Sequence, residues 1–560
     1  MTKGVWPKPS SAYSIKVSNG GRGIHVAQDG NPHTSTSDMT LVIAASAAGT
    51  VFEWYDFFIY GTLGPILSKA FFPAGNATLA TLLFWLVFAV GFGFRPFGAV
   101  LFGYLGDRMG RKHTFLITVV LMGVATAGVG FVPSASSIGL FAPACVIALR
   151  ILQGLALGGE YGGAAVYVAE HAPAHRRGFY TSFIQASVMG GFVLSLIVVL
   201  LCKAAMPPAV WAEWGWRLPF VLSLALLAVS LWMRLKLSES PVFLAMKAEG
   251  KVAANPIRES LTYPGNKARL FVALFGLTAG GTVLWYNAMF SSLTFLKSAM
   301  RVEDSTAEML VGVACLFGMG MNIVAGHLSD RIGRAVPTLV GYAAALTLLF
   351  PAVWIMGASA NPALGAMAAR APVVVSGPDC RYDPFAADQK TACGRLLGDL
   401  TAIGVRYRVE TAPDLTLSAG ATALPLTTWY AADKPSRSLA LQSALTGVGY
   451  NLGKVRPSPL GMVGVVAGLV LAMAISAASY GPLAVLLVEM FPPRIRYSSM
   501  SIPYHIGTGY FGGFLPFISS LIIAQTGNPY AGLWYPWAVT LIALPVAAIG
   551  LRHVRLPEQE

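Results

Sequence analysis

The sequence predicts an all-α membrane protein of about twelve transmembrane helices in two six-helix halves, with a small extramembrane α/β insert between helices 9 and 10. Three observations predict it. First, 55% of the residues are hydrophobic and 11% charged, where a soluble globular chain carries roughly a quarter charged residues. Second, apolar runs long enough to cross a bilayer recur along all 560 residues, six on each side of a polar middle connector. Third, a polar loop after the second run of one half is echoed at the same place in the other.

Residues 1–39 are polar and rich in Ser, Gly and Pro, without the layout of a signal peptide, and read as a disordered cytoplasmic tail. Apolar runs near 40–64, 79–105, 114–132, 139–169, 180–202 and 217–234 make helices 1 to 6, an N-terminal bundle over 40–234. A polar connector, 235–269, follows. Runs near 270–297, 306–327, 336–357, 459–488, 500–525 and 531–551 make helices 7 to 12, a C-terminal bundle over 270–551, and 552–560 form a second cytoplasmic tail. The net charge of +14 does not imply nucleic acid, because the basic residues sit in short connectors and form no solvated face. Topology accounts for them. Arg and Lys gather after helices 2, 4, 6, 8 and 10 and are nearly missing from the alternate connectors, which places both termini in the cytoplasm.

Residues 370–457 are too polar to span and too long for a plain connector. PVVVSG, a helical stretch over 390–403 and VRYRVE read as strand, helix, strand, a small periplasmic domain. Cys380 and Cys393, outside the membrane runs and in an oxidising compartment, are expected to pair as a disulfide. Cys145, Cys202 and Cys315 lie in apolar runs and read as small core side chains. No Cys/His cluster, nucleophile/base pair or phosphate loop is present in the sequence, so neither an enzyme nor a metal or other cofactor is expected.

The echoed loop is GYLGDRMGRK (Gly103 to Lys112) and GHLSDRIGRA (Gly326 to Ala335). Its G-x-x-x-D-R-x-G-R pattern resembles the signature of the major facilitator superfamily. Further strings are similar to the metabolite:proton symporter branch, which includes α-ketoglutarate, citrate, shikimate and proline/betaine permeases. They include GTVFEWYDFFIYG (Gly49 to Gly61), GFRPFGAVLFG (Gly93 to Gly103), RILQGLALGGEYGGA (Arg150 to Ala164) and EMFPPRIRYSS (Glu489 to Ser499). The resemblance implies twelve helices, proton-driven symport and a central cavity open alternately to each side. It also implies that the two loops are a conformational latch, with Asp107, Arg108, Arg111, Lys112, Asp330, Arg331 and Arg334 as gating residues. The 370–457 insert departs from the shorter permeases.

A charge at the bilayer centre costs at least about 2.5 to 3.5 kcal/mol on insertion scales, so each one needs a reason. Glu53, Asp56 and Tyr60 share one face of helix 1, and two close carboxylates in low dielectric suit a proton carrier. A structural ion pair with an arginine of helix 2 or 4 is the alternative. On helix 4, Arg150, Gln153 and Glu160 follow one stripe. The Arg150 fork can hold a substrate carboxylate or brace the bundle through Glu53 or Asp56. Arg95, before Pro96 on helix 2, can meet an anionic substrate or neutralise Asp56. The glycines of helix 4 permit close helix packing. Trp285, Tyr286 and Asn287 on helix 7, with Tyr480, Tyr504 and His505, offer aromatic walls for a small solute, or simply packing. Lys297 is expected to snorkel at the outer end of helix 7, and Glu489 to pair with Arg494 or a signature-loop arginine.

The expected function is therefore proton-coupled symport of a small organic anion, by a functional monomer in a bacterial inner membrane. A zwitterion or osmolyte symporter is the first alternative, and a transporter-like sensor with a ligand-binding insert a remote one. The partners are a small-molecule substrate, protons and the lipid bilayer, with no nucleic acid.

Overall fold

The computed structural model describes residues 14–15, 26–27, 36–72, 77–109, 111–159, 161–235, 256–386, 388–431, 433–492 and 495–553. Among these, ten helical stretches are long and apolar enough to cross a membrane, and they match helices 2 and 4 to 12 of the sequence reading. Helix 1 (Thr36–Thr62) and helix 3 (Arg111–Phe131) occupy the remaining two places in chain order. Neither meets that measure of length and apolarity among the described residues, and the apolar part of helix 3 is only Leu116–Phe131. Helix 1 begins inside the stretch read as a disordered tail, where Ser14–Ile15 and Val26–Ala27 also pair as a short antiparallel ribbon.

Several helices are broken where the sequence reading had them continuous. Helix 2 is Ala77–Gly93 followed by Arg95–Met109. The break falls just before Pro96, which has no N–H for the helical ladder. Helix 4 is Phe141–Gly158 followed by Tyr161–His171, and helix 10 is Pro459–Tyr480 followed by Leu483–Met490. Helix 7 includes π-helical stretches at Val272–Thr278, Asn287–Ser291 and Phe295–Ala299, and helix 11 one at Gly507–Gly513. Such stretches are rare and collect at functional sites.

The two halves meet along helix 5 against helix 8 and helix 2 against helix 11. Inside the first half, helices 2 and 4 approach until their backbones touch. A methyl group at Gly154 would overlap the carbonyl of Gly91, one at Gly158 that of Arg95, and one at Gly98 that of Leu155. Contact this close is open only to glycine. It brings the backbone of Arg95 directly against helix 4, the helix that carries Arg150.

The insert has its own core, around Val373, Val375, Leu396, Leu400, Leu417 and Trp429. Val373–Gly377 pairs in parallel with Tyr407–Thr411, across the helix Ala392–Ala402. Two strands not read from the sequence, Thr416–Ala419 and Thr422–Leu424, extend the sheet on the other edge in antiparallel pairing. They are too short to carry a period-2 signal. Buried Asp399 accepts hydrogen bonds from Trp429 Nε1 (3.0 Å) and Arg437 Nε (3.1 Å), fastening the central helix to the later part of the insert.

Cys380 and Cys393 are joined as a disulfide, which ties the turn after the first strand to the first turn of that helix. Closing a loop of about this length is worth roughly 3 kcal/mol in chain entropy. Cys393→Ser should therefore make residues 370–457 cleave at markedly lower protease concentration while the helix bundle stays intact. Equal resistance in the variant and the parent would show that the bridge adds no stability.

Candidate functional site

Two arginines meet at the centre of the first half. Arg95 and Arg150 are both 0% exposed. The Arg95 guanidinium stands 3.9 Å from the ring centre of Phe92, 4.6 Å from Phe57 and 4.8 Å from Trp54. Arg150 stands 4.1 Å from the same Phe57 ring, 4.5 Å from Tyr60 and 5.2 Å from Phe88. Phe57 is thus shared by both cations, and π-faces replace part of the hydration each has lost.

Polar partners are few. Arg150 Nη1 donates to Gln153 Oε1 (2.7 Å) and reaches the Phe57 carbonyl at 3.5 Å, while Gln153 Nε2 donates to Thr126 Oγ1 (2.7 Å). The Nε and Nη2 atoms of Arg150 and all three nitrogens of Arg95 have no hydrogen-bond partner. Tyr286 lies beside Arg95 outside hydrogen-bonding geometry. Among the described residues neither arginine forms an ion pair. Bracing of Arg150 by a carboxylate, weighed in the sequence reading, is replaced by Gln153 and ring contacts. Around the pair, Tyr60 Oη, Tyr286 Oη and Trp285 Nε1 are also buried without a partner. The site is rich in donors and poor in acceptors.

The second half supplies the facing wall. Trp285 packs at 5.5 Å from Phe58 and 5.8 Å from Tyr480, Tyr286 at 5.3 Å from Phe92, and the Tyr480 and Tyr504 hydroxyls are 3.2 Å apart. Tyr504 lies 5.3 Å from the His505 ring. Asn287 does not join this group and instead lines a cavity of about 550 Å³ toward the insert. Trp85, Phe88 and Phe290, in ring contact with one another, lie between that cavity and Arg150. Glu53 and Asp56 are buried on helix 1, in the turns that carry Trp54 and Phe57. Glu160 lies outside the described residues, as do the side chains of Asp107, Arg108, Arg111 and Lys112. The sequence reading missed Trp54, Phe57, Phe88 and Phe92. Only their high aromatic density near helices 1 and 2 pointed to them.

The fold and this geometry agree with the comparisons. The family model for sugar (and other) transporters matches residues 41–269. The chain is 34% identical over 297 residues to the alpha-ketoglutarate permease of Escherichia coli (strain K12), covering 53% of this chain and 67% of that one. It is 35% identical over 314 residues to the shikimate transporter of the same organism, covering 55% and 70%. It is 30% identical over 399 residues to the proline/betaine transporter of Salmonella typhimurium, covering 67% and 79%. The chain belongs to the major facilitator superfamily. Its fold is similar to that of the xylose transporter XylE from E. coli in a partially occluded inward-open conformation, with a TM-score of 0.55 at 15% identity, covering 92% of this chain and 99% of that one. This major facilitator protein is accordingly a multi-pass membrane protein and a secondary transporter of small metabolites.

In this transporter the two halves are bridged at both ends. At the end bearing the second signature loop, Asp330 accepts from the backbone N–H groups of Gly178 (2.8 Å) and Phe179 (2.7 Å), in the first turn of helix 5 (Arg177–Ala204), where the helix dipole favours an anion. Arg334 pairs with Asp330, donates to both Glu489 oxygens at 3.0 Å and reaches the Ala174 carbonyl. Arg177 stands 4.0 Å from Glu489 and Arg496 3.5 Å from Glu170. Arg331 is exposed on the surface, and Arg494 lies outside the described residues. At the opposite end, buried Glu308 of helix 8 receives Lys203 of helix 5 (3.0 Å) and Lys297 of helix 7 (2.7 Å). Lys297 therefore does not snorkel: it is 6% exposed because an internal carboxylate neutralises it. Cys145, read as a core residue, is exposed on the outer face of helix 4.

Glu489→Gln should loosen the end bearing the signature loop. Loss of one partly buried pair is worth up to about 1 kcal/mol, or about fivefold in the ratio of open to closed states at that end. Spin labels on helices 5 and 8 would report it, and an unchanged distance distribution would show that the pair does not bias the two states.

Proposed function

We propose that this transporter carries out proton-coupled symport of a small organic anion, a mono- or dicarboxylate, by alternating access. It works as a monomer in a bacterial inner membrane, with both termini cytoplasmic and residues 370–457 periplasmic. One observation carries the reading: two fully buried guanidiniums with unpaired N–H groups converge on a donor-rich centre. Buried cations without counter-ions are costly, and a carboxylate would cancel charge and supply the missing acceptors at once. A dicarboxylate would do so for both arginines. Two relatives bear the names of organic-acid transporters, alpha-ketoglutarate and shikimate.

Other relatives are named proline/betaine transporters, and aromatic faces can bind quaternary ammonium groups. Here, however, guanidiniums already stand within 4.8 Å of the Phe57, Phe92 and Trp54 ring centres, and a third cation would be repelled. The anion reading is the stronger. Asp56 is the main proton carrier, supported by Glu53 and Glu160. Asp56 precedes Phe57, whose ring and carbonyl both meet Arg150, so its charge is linked to the binding centre through one peptide unit. Substrate contacts fall to Arg95, Arg150, Gln153, Tyr60, Trp285, Tyr286, Asn287 and Tyr504. The gating role falls to Asp107, Arg108, Arg111, Lys112, Asp330, Arg331 and Arg334.

Purified protein in liposomes with an imposed pH gradient tests the reading against a panel of dicarboxylates, shikimate-like acids, proline and betaine. Accumulation of a carboxylate supports it, accumulation of betaine or proline alone replaces it with the zwitterion reading, and accumulation of neither defeats both. Arg95→Lys and Arg150→Lys should each weaken apparent affinity at least about tenfold, because an ammonium cannot reproduce a planar fork. Near-normal affinity in both would remove the arginines from the substrate site. Asp56→Asn should retain solute exchange and lose uphill accumulation. Accumulation at the parental level would exclude Asp56 as the proton carrier.

A further inference from the structure

The insert is fastened to the second half of the protein. Arg301, on the connector between helices 7 and 8 and with φ of 56°, donates to the carbonyls of Leu452 and Ile403. Val302 and Val455 form a parallel β-bridge, with Val455 N–H to Arg301 O at 2.8 Å and Glu303 N–H to Val455 O at 3.0 Å. Lys454 Nζ donates to the Lys297 carbonyl (2.8 Å) and Asp304 (3.0 Å). On its other side, the insert helix Ala392–Ala402 lies against Ala77–Gly93 of helix 2, in the first half.

These contacts set the insert over the 550 Å³ cavity, whose walls include Thr401–Val405 and Lys454 of the insert as well as helices 2, 7 and 11. The charged side chains lining it are Lys69, Lys297, Arg301 and Lys454, against a single acid, Asp304. A concave space with a surplus of positive charge and low-dielectric walls concentrates anions. The rest of the polar lining is hydroxyls and the amide of Asn287, donors without charge. Trp85 lines the cavity and is in ring contact with Phe88, which stands beside Arg150.

We propose that this cavity is a vestibule that collects small organic anions ahead of the buried arginine pair, and that the insert is one of its walls. The proposal rests on the anion reading above and adds a second, weaker and more hydrated site for the same solute. Anions enter between the insert helix and helix 2, are held by Lys69 and Lys454 without full desolvation, and pass the aromatic barrier when the halves rearrange. Lys69 is the informative residue, because its side chain is exposed and no structural contact depends on it.

The experiment uses the full chain in liposomes with Ser520→Cys, a cavity-lining position. Its labelling by an anionic and a cationic methanethiosulfonate of similar size is read by peptide mass spectrometry. The anionic reagent should react faster, and Lys69→Gln should lower the anionic-to-cationic ratio about two- to fivefold, the range for exposed charge interactions. Lys69→Arg should restore the ratio, added salt should flatten it, and millimolar α-ketoglutarate should protect the introduced thiol more than betaine does. A ratio that is unaffected by Lys69→Gln, or equal protection by both solutes, overturns the vestibule. Because reagent selectivity needs no transport, it separates failure of the vestibule from failure of carboxylate symport, which the liposome panel reads independently.

Discussion

Burying two guanidiniums side by side sets the terms for the rest of this structure. Arg95 and Arg150 are removed from water with no carboxylate bound to either among the described residues, and the compensation comes from shared aromatic faces, Gln153 and one backbone carbonyl. Such an arrangement is only partly satisfied. It persists because the surrounding helices over-determine it: the Arg95 carbonyl is pressed against Gly158 and the Gly91 carbonyl against Gly154, so helices 2 and 4 cannot move apart without losing backbone contact. A binding centre held this way is preorganised, and the missing acceptors are left for a ligand to provide.

The irregular helices fall around that centre. Helix 2 breaks beside Arg95, helix 4 just after the Arg150 stripe, and π-helical stretches in helices 7 and 11 flank Tyr286 and Tyr504. Straight helices leave no freedom to aim backbone groups or to change register. Broken ones do, and they occur in membrane proteins where the backbone faces protein or a cavity and not lipid.

The ion pairs that join the halves are unlike at the two ends. At the signature-loop end, acids are held by arginines and by the start of helix 5; at the insert end, one buried glutamate is held by two lysines. Arginine forks offer directional, bidentate pairing, whereas lysines are compact, strongly hydrated charges. An alternating-access cycle must break one set while the other holds. The insert lies at the lysine end, clamped to the second half through Arg301 and Val455 and resting on helix 2 of the first.

Much of this was legible in the linear chain, for a physical reason. The bilayer requires long apolar runs, short basic connectors and a reason for every internal charge, so span positions, the repeated loop and the importance of Arg95, Arg150, Glu53 and Asp56 follow from residue type and order. The strand, helix, strand start of the insert was equally readable from β-branched runs. Only tertiary structure decided which partners those charges take. Phe57 between two arginines, Lys297 on Glu308 and Asp330 on the N–H groups of Gly178 and Phe179 join residues from different helices, and no local periodicity encodes such pairings. Asn287 is adjacent to Tyr286 in the chain yet lines a different space, because side-chain direction depends on how each helix is turned against its neighbours.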